Sequence, residues 1–133
     1  MDLDRFTAAQ ADHYATALAE LTRGAKQSHW MWFIFPQVAG LGHSDMARRY
    51  AIRDLSEARA YLAHPLLGSR YLACVAALTP HRGRSAASIM GPVDAMKLRS
   101  SLTLFDHAGA PPVVHDTLSA FFGTPDAATI RLL

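Results

Sequence analysis

The sequence predicts an all-α fold, with residues 1–133 forming one compact domain of about seven or eight helices, several of them short, packed orthogonally. Three observations carry this. Apolar residues recur every three to four positions through most of the chain, the spacing that lines one face of a helix. Pro, Gly and Ser punctuate these runs at irregular intervals, which makes many short helices and no repeat. Half of the 133 residues are hydrophobic and only 18% are charged, enough apolar material for a core without staples and too little charge for a disordered chain.

In chain order, residues 8–23 read as the first helix, with Tyr14, Leu18 and Leu21 inward and Asp12, Thr16 and Glu20 on other faces. Thr7 is placed to cap it, Phe6 to fold back as a staple, Gly24 to close it in a left-handed turn, and His13 falls outside the stripe. Lys26 to Gln37 then gathers both tryptophans, two phenylalanines, a histidine and a lysine. Each buried aromatic removes roughly 150–250 Å² from water, so this stretch belongs near the centre of the fold. Its pattern fits a helix, with Trp30, Ile34 and Phe33 on one face, or a strand of equal length; Pro36 ends either. Gly40 and Gly42 make a tight loop, and Ser44 starts a helix with Met46 and Tyr50 inward. Arg48, Arg49 and Arg53 point outward, either as a solvated face or as an anion-facing surface.

A short helix over 56–63 breaks at His64-Pro65, with Pro65 at the first position of the next, which runs to about Leu78. Gly68 inside it marks close packing, and Cys74 on its apolar face is a small buried hydrophobe. Thr79–Ser85 reads as a mobile basic loop, followed by a turn of helix over 86–90. Pro92 opens a helix with Leu98, Leu102 and Phe105 inward, Asp94 at its positive end, and Lys97 and Ser101 one turn apart. Val114, Leu118 and Phe121 line another helix closed by Gly123, and Thr124-Pro125-Asp126 supplies cap, first-turn proline and acidic residue for the last.

Composition excludes several function classes. The formal charge is only +2, so the basic balance does not by itself indicate a nucleic-acid binder. A single cysteine cannot form an intrachain disulfide, which points to a cytoplasmic protein. The N-terminus is acidic without a signal-peptide core, and the longest apolar run, Trp30–Pro36, is far short of the ~20 residues a membrane helix needs. No phosphate loop, dinucleotide fingerprint, His-Glu-x-x-His or nucleophile elbow is present. Histidines stand singly at 13, 29, 43, 64, 81, 107 and 115, without the i, i+4 pairing that builds a metal site on one helix face. No cofactor is implied.

What remains is two polar sets beside core elements. Lys26, Ser28 and His29 precede the aromatic run, with Trp32 inside it and Gln37 after it; Lys97, Arg99, Ser100, Ser101 and Thr103 share one helix. Brought together, they make a cleft with aromatic walls, cationic heads and hydroxyl donors, suited to a phosphate or carboxylate. The structural alternative gives every group an internal role. The tryptophans become core anchors with indole partners, Ser100 and Ser101 bond back to helix carbonyls, and Arg99 pairs with Asp94 or Asp106. For proton transfer, His29 ranks first and His64 second, neither with an acidic partner in sequence.

The run Lys26-x-Ser28-His29-Trp30-Met31-Trp32-Phe33-Ile34-Phe35-Pro36-Gln37-x-x-Gly40-Leu41-Gly42-x-Ser44 closely resembles the bacterial family known as domain of unknown function 1810, also labelled calpastatin-like. The likeness continues through Tyr61-Leu62-x-His64-Pro65-x-Leu67-Gly68-x-Arg70 and Gly91-x-x-Asp94-x-x-Lys97-Leu98-Arg99-Ser100-Ser101-x-Thr103-Leu104-Phe105, and spans almost the whole chain. The resemblance implies a single, mainly helical domain and no known activity. It adds His64, Arg70 and Asp94 to the candidates. Nothing in the chain resembles a long disordered protease-binding repeat, so the calpastatin label has no visible basis.

The functional expectation is a cytoplasmic protein with a small anionic-ligand cleft. Lys26, His29, Lys97 and Arg99 carry the charge; Ser28, Gln37, Ser100 and Ser101 supply hydrogen bonds. One rival is a noncatalytic protein-interaction or scaffold module, which predicts an exposed patch around Trp32 and Phe33. The other is a weak nucleic-acid binder using Arg48, Arg49, Arg53, Arg82 and Arg84, which predicts one continuous basic surface.

Overall fold

A computed structural model describes residues 2–133. The described residues contain ten α-helices: α1 (Asp4–Gln10), α2 (Tyr14–Arg23), α3 (Met31–Ile34), α4 (Asp45–Arg49), α5 (Leu55–Ala63), α6 (Leu67–Leu78), α7 (Ala86–Met90), α8 (Pro92–His107), α9 (Pro112–Phe122) and α10 (Ala127–Arg131). A single 3₁₀ turn, Thr79–His81, follows α6. No strand occurs among these residues; one parallel bridge joins Val38 to Ile52, with Ala39 N–H donating to Ile52 O and Ile52 N–H to Gln37 O. The fold is all-α.

The 16-residue α8 is the axis of the packing. Leu98, Leu102, Leu104 and Phe105 are fully buried on it, and it meets α5, α7, α9 and α10. A chain of eight rings runs through the core, among aliphatic residues such as Leu21, Ile52, Val75 and Leu78. Trp30 contacts Phe35, Phe35 contacts Tyr71, and Tyr71 lies 4.3 Å from Phe105; contacts then run through Tyr61, Phe6 and Tyr50 to Phe33. Each such pair adds roughly 0.5–1.5 kcal/mol beyond its burial. The aromatic stretch is therefore central, and its four-residue α3 resolves the helix-or-strand ambiguity in favour of one helical turn.

Several boundaries differ from those expected. The helix expected over 8–23 is two helices broken at Ala11–His13, so Thr7 lies inside α1, where its hydroxyl donates to Asp4 O. The break lets Gln10 reach into the core, donating to Phe33 O at 2.8 Å and to Tyr61 Oη at 3.0 Å. Glu20 is buried, not outward. The new helix after Pro65 begins only at Leu67, because His64 Nδ1 accepts the Leu66 and Leu67 amides and acts as its cap. The segment 79–85, expected as a loop, opens with the 3₁₀ turn and is tied to α2 and its end: the His81 ring bonds Thr22 O and Arg84 donates to Gly24 O. Asp126, rather than Thr124, caps α10.

Other signals are realised directly. Ser44 Oγ accepts the Ala47 amide, and Gly24 closes α2 at φ 74°. Gly68 is demanded by contact: a Cβ there would collide with the Leu62 carbonyl oxygen. Among the described residues, no buried side-chain nitrogen or oxygen lacks a partner.

Candidate functional site

Glu20 organises the segment that carries most candidate residues. Its Oε1 accepts the amides of Gln27 (2.7 Å) and Ser28 (2.9 Å) and the indole N–H of Trp30 (3.0 Å); Oε2 accepts the Ser28 hydroxyl at 2.6 Å. Burial pushes this carboxyl up, but the hydrogen bonds from Ser28, Gln27 and Trp30 outweigh it and hold the pKa at about 2. The carboxylate thus replaces water for a turn of backbone that has no helical partners. It also gives the buried Trp30 indole its acceptor.

That turn delivers Lys26 to α8. Its backbone N–H donates to Ile89 O at 2.9 Å, and its ammonium donates to Ser28 O at 2.6 Å. The same ammonium pairs with Asp94 Oδ2 at 2.9 Å and lies 4.7 Å from the Trp30 ring centroid. On the far side of Asp94, Lys97 Nζ stands 3.9 Å from Oδ1 and 5.0 Å from the Trp32 ring centroid. Two ammoniums, each on an indole face, therefore share one carboxylate at the positive end of α8. Lys26 is saturated by this arrangement. Lys97 is not: its contact with Asp94 is too long for a hydrogen bond, so its N–H groups remain available.

A cleft of about 270 Å³ opens beside Lys97. Gln37, Leu41 and Gly42 form one wall, Val93, Met96, Lys97 and Ser100 of α8 another, and Asp126 and Ala128 close the end. Lys97 and Asp126 give it one charge of each sign, and Asp126 Oδ2 already accepts from the Ser100 hydroxyl, the Thr129 amide and the Thr129 hydroxyl.

The candidate residues divide into groups. Lys26, Trp32, Asp94 and Lys97 come together, and Gln37, Lys97 and Ser100 line the cleft. Ser28 serves Glu20. Arg99 runs along the chain before α10, donating to Thr124 Oγ1 at 2.6 Å and to the Thr124 and Pro125 carbonyls, so it pairs with neither Asp94 nor Asp106. Ser101 is fully buried against the Tyr71 hydroxyl at 3.0 Å. Arg70 lies elsewhere, 4.5 Å over Tyr14 and donating to Gln10 Oε1. His29 is exposed without a hydrogen bond among the described residues, while the His64 ring is occupied as a cap. Phe33, expected to be exposed in an interaction module, is buried, and Trp32 is half-buried. No group of three or more His, Cys, Asp or Glu able to hold a metal ion occurs among the described residues.

Two residues outside the sequence-based set matter to the site's integrity, Glu20 and Asp126. For Glu20 the signal was present, since it occupies the slot between Ala17 and Leu21 in the buried stripe of α2 and Trp30 needed an acceptor.

A family model described as "Protein of unknown function (DUF1810)" matches residues 1–133. The chain belongs to the DUF1810 family. This DUF1810 protein is also similar, at 46% identity and with a TM-score of 0.96, to the crystal structure of the conserved hypothetical protein Rv1873 from Mycobacterium tuberculosis. That likeness covers 99% of this chain and 96% of the other. No curated protein matches it. No helix in the described part of the DUF1810 chain is long and apolar enough to cross a membrane.

Proposed function

We propose that this DUF1810 protein binds a small anionic metabolite, a carboxylate or phosphate with an apolar portion, in the cleft between the 37–42 loop and the start of α8. One observation carries the reading: Lys97, on the face of Trp32 and too far from Asp94 to bond it, lies at a cleft whose other walls are largely apolar. A single available cation suits a singly charged head group, with Gln37 as an additional donor and Leu41, Val93 and Met96 as the surface for the rest of the ligand. A volume of about 270 Å³ favours a compact acid over a nucleotide. A cytoplasmic location is part of the proposal, supported by the one cysteine being free and buried.

A second reading as a protein-docking face draws support from the exposure of Val93 at 64% and Met96 at 71%. A thermal-shift screen of small carboxylic and phosphorylated acids separates the two. The ligand reading expects a stabilising hit that Lys97→Ala and Gln37→Ala abolish and Arg99→Ala, away from the cleft, retains at reduced baseline stability. The absence of any hit across both classes would refute it.

A further inference from the structure

A concavity of about 530 Å³ is separate from the cleft and shares no lining residue with it. Four arginines surround it: Arg5 from α1, Arg48 and Arg49 from α4, and Arg53 from the connection to α5. Only two carboxylates line it, Asp2 and Glu57. Guanidiniums repel one another, so four at one concavity need a structural reason or a ligand.

The structural reason covers half of them. Glu57, with its side chain only 1% exposed, accepts from Arg5 Nη2 at 2.9 Å and from the Arg53 amide at 3.1 Å, and forms an ion pair with Arg53 Nη2 at 3.2 Å. Arg5 also donates to Ala51 O at 2.8 Å and lies 4.4 Å from the Phe6 ring centroid. Those two arginines are held in place by a buried anion. Arg48 and Arg49 have no carboxylate within 4.0 Å among the described residues; Arg49 merely stacks on Tyr50 at 5.4 Å. Counting four guanidiniums against Glu57 and Asp2, the cavity carries a surplus of two positive charges.

We infer that this cavity is a binding site for a phosphorylated small molecule, whose phosphate or diphosphate group is gripped by Arg48 and Arg49 against the fixed pair Arg5 and Arg53. The surplus matches a phosphate dianion. Arginine's planar fork presents paired N–H groups to phosphate oxygens, and fixing two of the four in advance lowers the ordering cost of binding. The volume leaves room for the group that bears the phosphate. A nucleic-acid track fits the placement less well. Arg84 is turned to the Gly24 and Ser88 carbonyls and Arg82 lines a different pocket with Thr79 and Phe121, so neither extends this concavity.

The test is calorimetric titration of the full chain with inorganic phosphate, inorganic diphosphate and a nucleoside diphosphate at low and moderate salt. Arg48→Gln and Arg49→Gln are suitable variants because both side chains are exposed and unpaired, and circular dichroism would verify their folding. The expected result is binding of diphosphate and the nucleoside diphosphate, weakened at least tenfold in the double variant and by added salt, and unchanged in Lys97→Ala. Three outcomes would overturn the inference: no binding of any phosphate probe, binding that survives R48Q/R49Q, or binding lost in Lys97→Ala. Tight binding of a single-stranded oligonucleotide with none of diphosphate would instead make the surface a nucleic-acid contact, and also overturn it.

Discussion

Replacing Glu20 by Gln preserves shape and removes one charge, so it measures how much the ionised carboxylate stabilises the Lys26–Trp30 turn. The magnitude follows in two ways. Three N–H groups converge on Oε1 at 2.7–3.0 Å, and the Ser28 hydroxyl on Oε2 at 2.6 Å. A charged acceptor is worth roughly 1 kcal/mol more per bond than a neutral one, which gives about 3 kcal/mol if the amide oxygen takes the Oε1 position and the hydroxyl turns to accept. Independently, the carboxyl's pKa falls from 4.5 to about 2 on folding, and at 1.36 kcal/mol per unit this again corresponds to about 3 kcal/mol. Because the folded pKa is the lower one, the stabilisation is present above pH 4.5 and is lost as pH falls toward 2. Urea unfolding of wild type and Glu20→Gln should therefore show a gap of about 3 kcal/mol at pH 7 that narrows by about 2 kcal/mol between pH 5 and pH 3. Every other carboxylate is common to both proteins and cancels. A gap below 1 kcal/mol, or one that does not change with pH, would falsify the assignment of the turn to an ionised Glu20.

Gly68→Ala places a Cβ against the Leu62 carbonyl and should destabilise by about 2 kcal/mol or more in urea titration, even though alanine is the better helix former. His115 has its pKa raised by its 3.0 Å bond to Asp106 and by that residue's charge, so its contribution to stability is present below the ordinary histidine pKa and disappears as pH rises through the folded one. Asp106→Asn should return the His115 titration, followed by NMR, toward the ordinary value. Burial pushes the Cys74 thiol up to about 12, against the opposing charge of Arg70. Its reaction with a disulfide reagent at pH 8 should accordingly proceed only as fast as the protein opens, and accelerate in urea.

The parts of the fold that could be seen in the sequence are those decided locally. The Leu98, Leu102 and Phe105 stripe, the Ser44 cap and the left-handed Gly24 each depend on residues within a turn or two, and each is in place. The α1–α2 break was not visible because Ala11-Asp12-His13 contains no proline or glycine. It is imposed from a distance, by Gln10 reaching Phe33 and Tyr61. Thr124 looked like a cap because its spacing to Pro125 is right, yet Arg99, twenty-five positions earlier, claims its hydroxyl and leaves Asp126 to cap. Apposition of the 26–37 set with the α8 set depends on tertiary contacts that no local pattern encodes: Lys26, Trp32 and Lys97 do gather around Asp94, whereas His29, Arg99 and Ser101 lie apart from them. The arginine cavity was only half legible. Arg48, Arg49 and Arg53 lie near one another in sequence, but Arg5 joins them through Glu57, fifty-two positions away.

Accounting for the carboxylates distinguishes cations that hold the fold from cations with a charge to offer. Glu57 is consumed by Arg5 and Arg53, Asp94 by Lys26, and Glu20 and Asp126 by amides and hydroxyls. Arg48 and Arg49 are left with no carboxylate within 4.0 Å among the described residues, and Lys97 with only its 3.9 Å approach to Asp94, too long for a hydrogen bond. Their surroundings then separate the ligands they suit. Lys97 is the one cation at a cleft walled by Leu41, Val93 and Met96, with the Asp126 carboxylate already engaged at its end, which favours one negative charge on an apolar body; Arg48 and Arg49 stand beside two further guanidiniums, which favours several charges on one group. The same accounting makes a stability prediction that contrasts with Glu20. Because these three side chains are not part of the buried network, neutralising any of them should change unfolding free energy by under about 1 kcal/mol. A loss of several kcal/mol from Lys97→Ala or Arg48→Gln would mean that the side chain is a structural strut, and would remove the physical basis for treating its cavity as a ligand site.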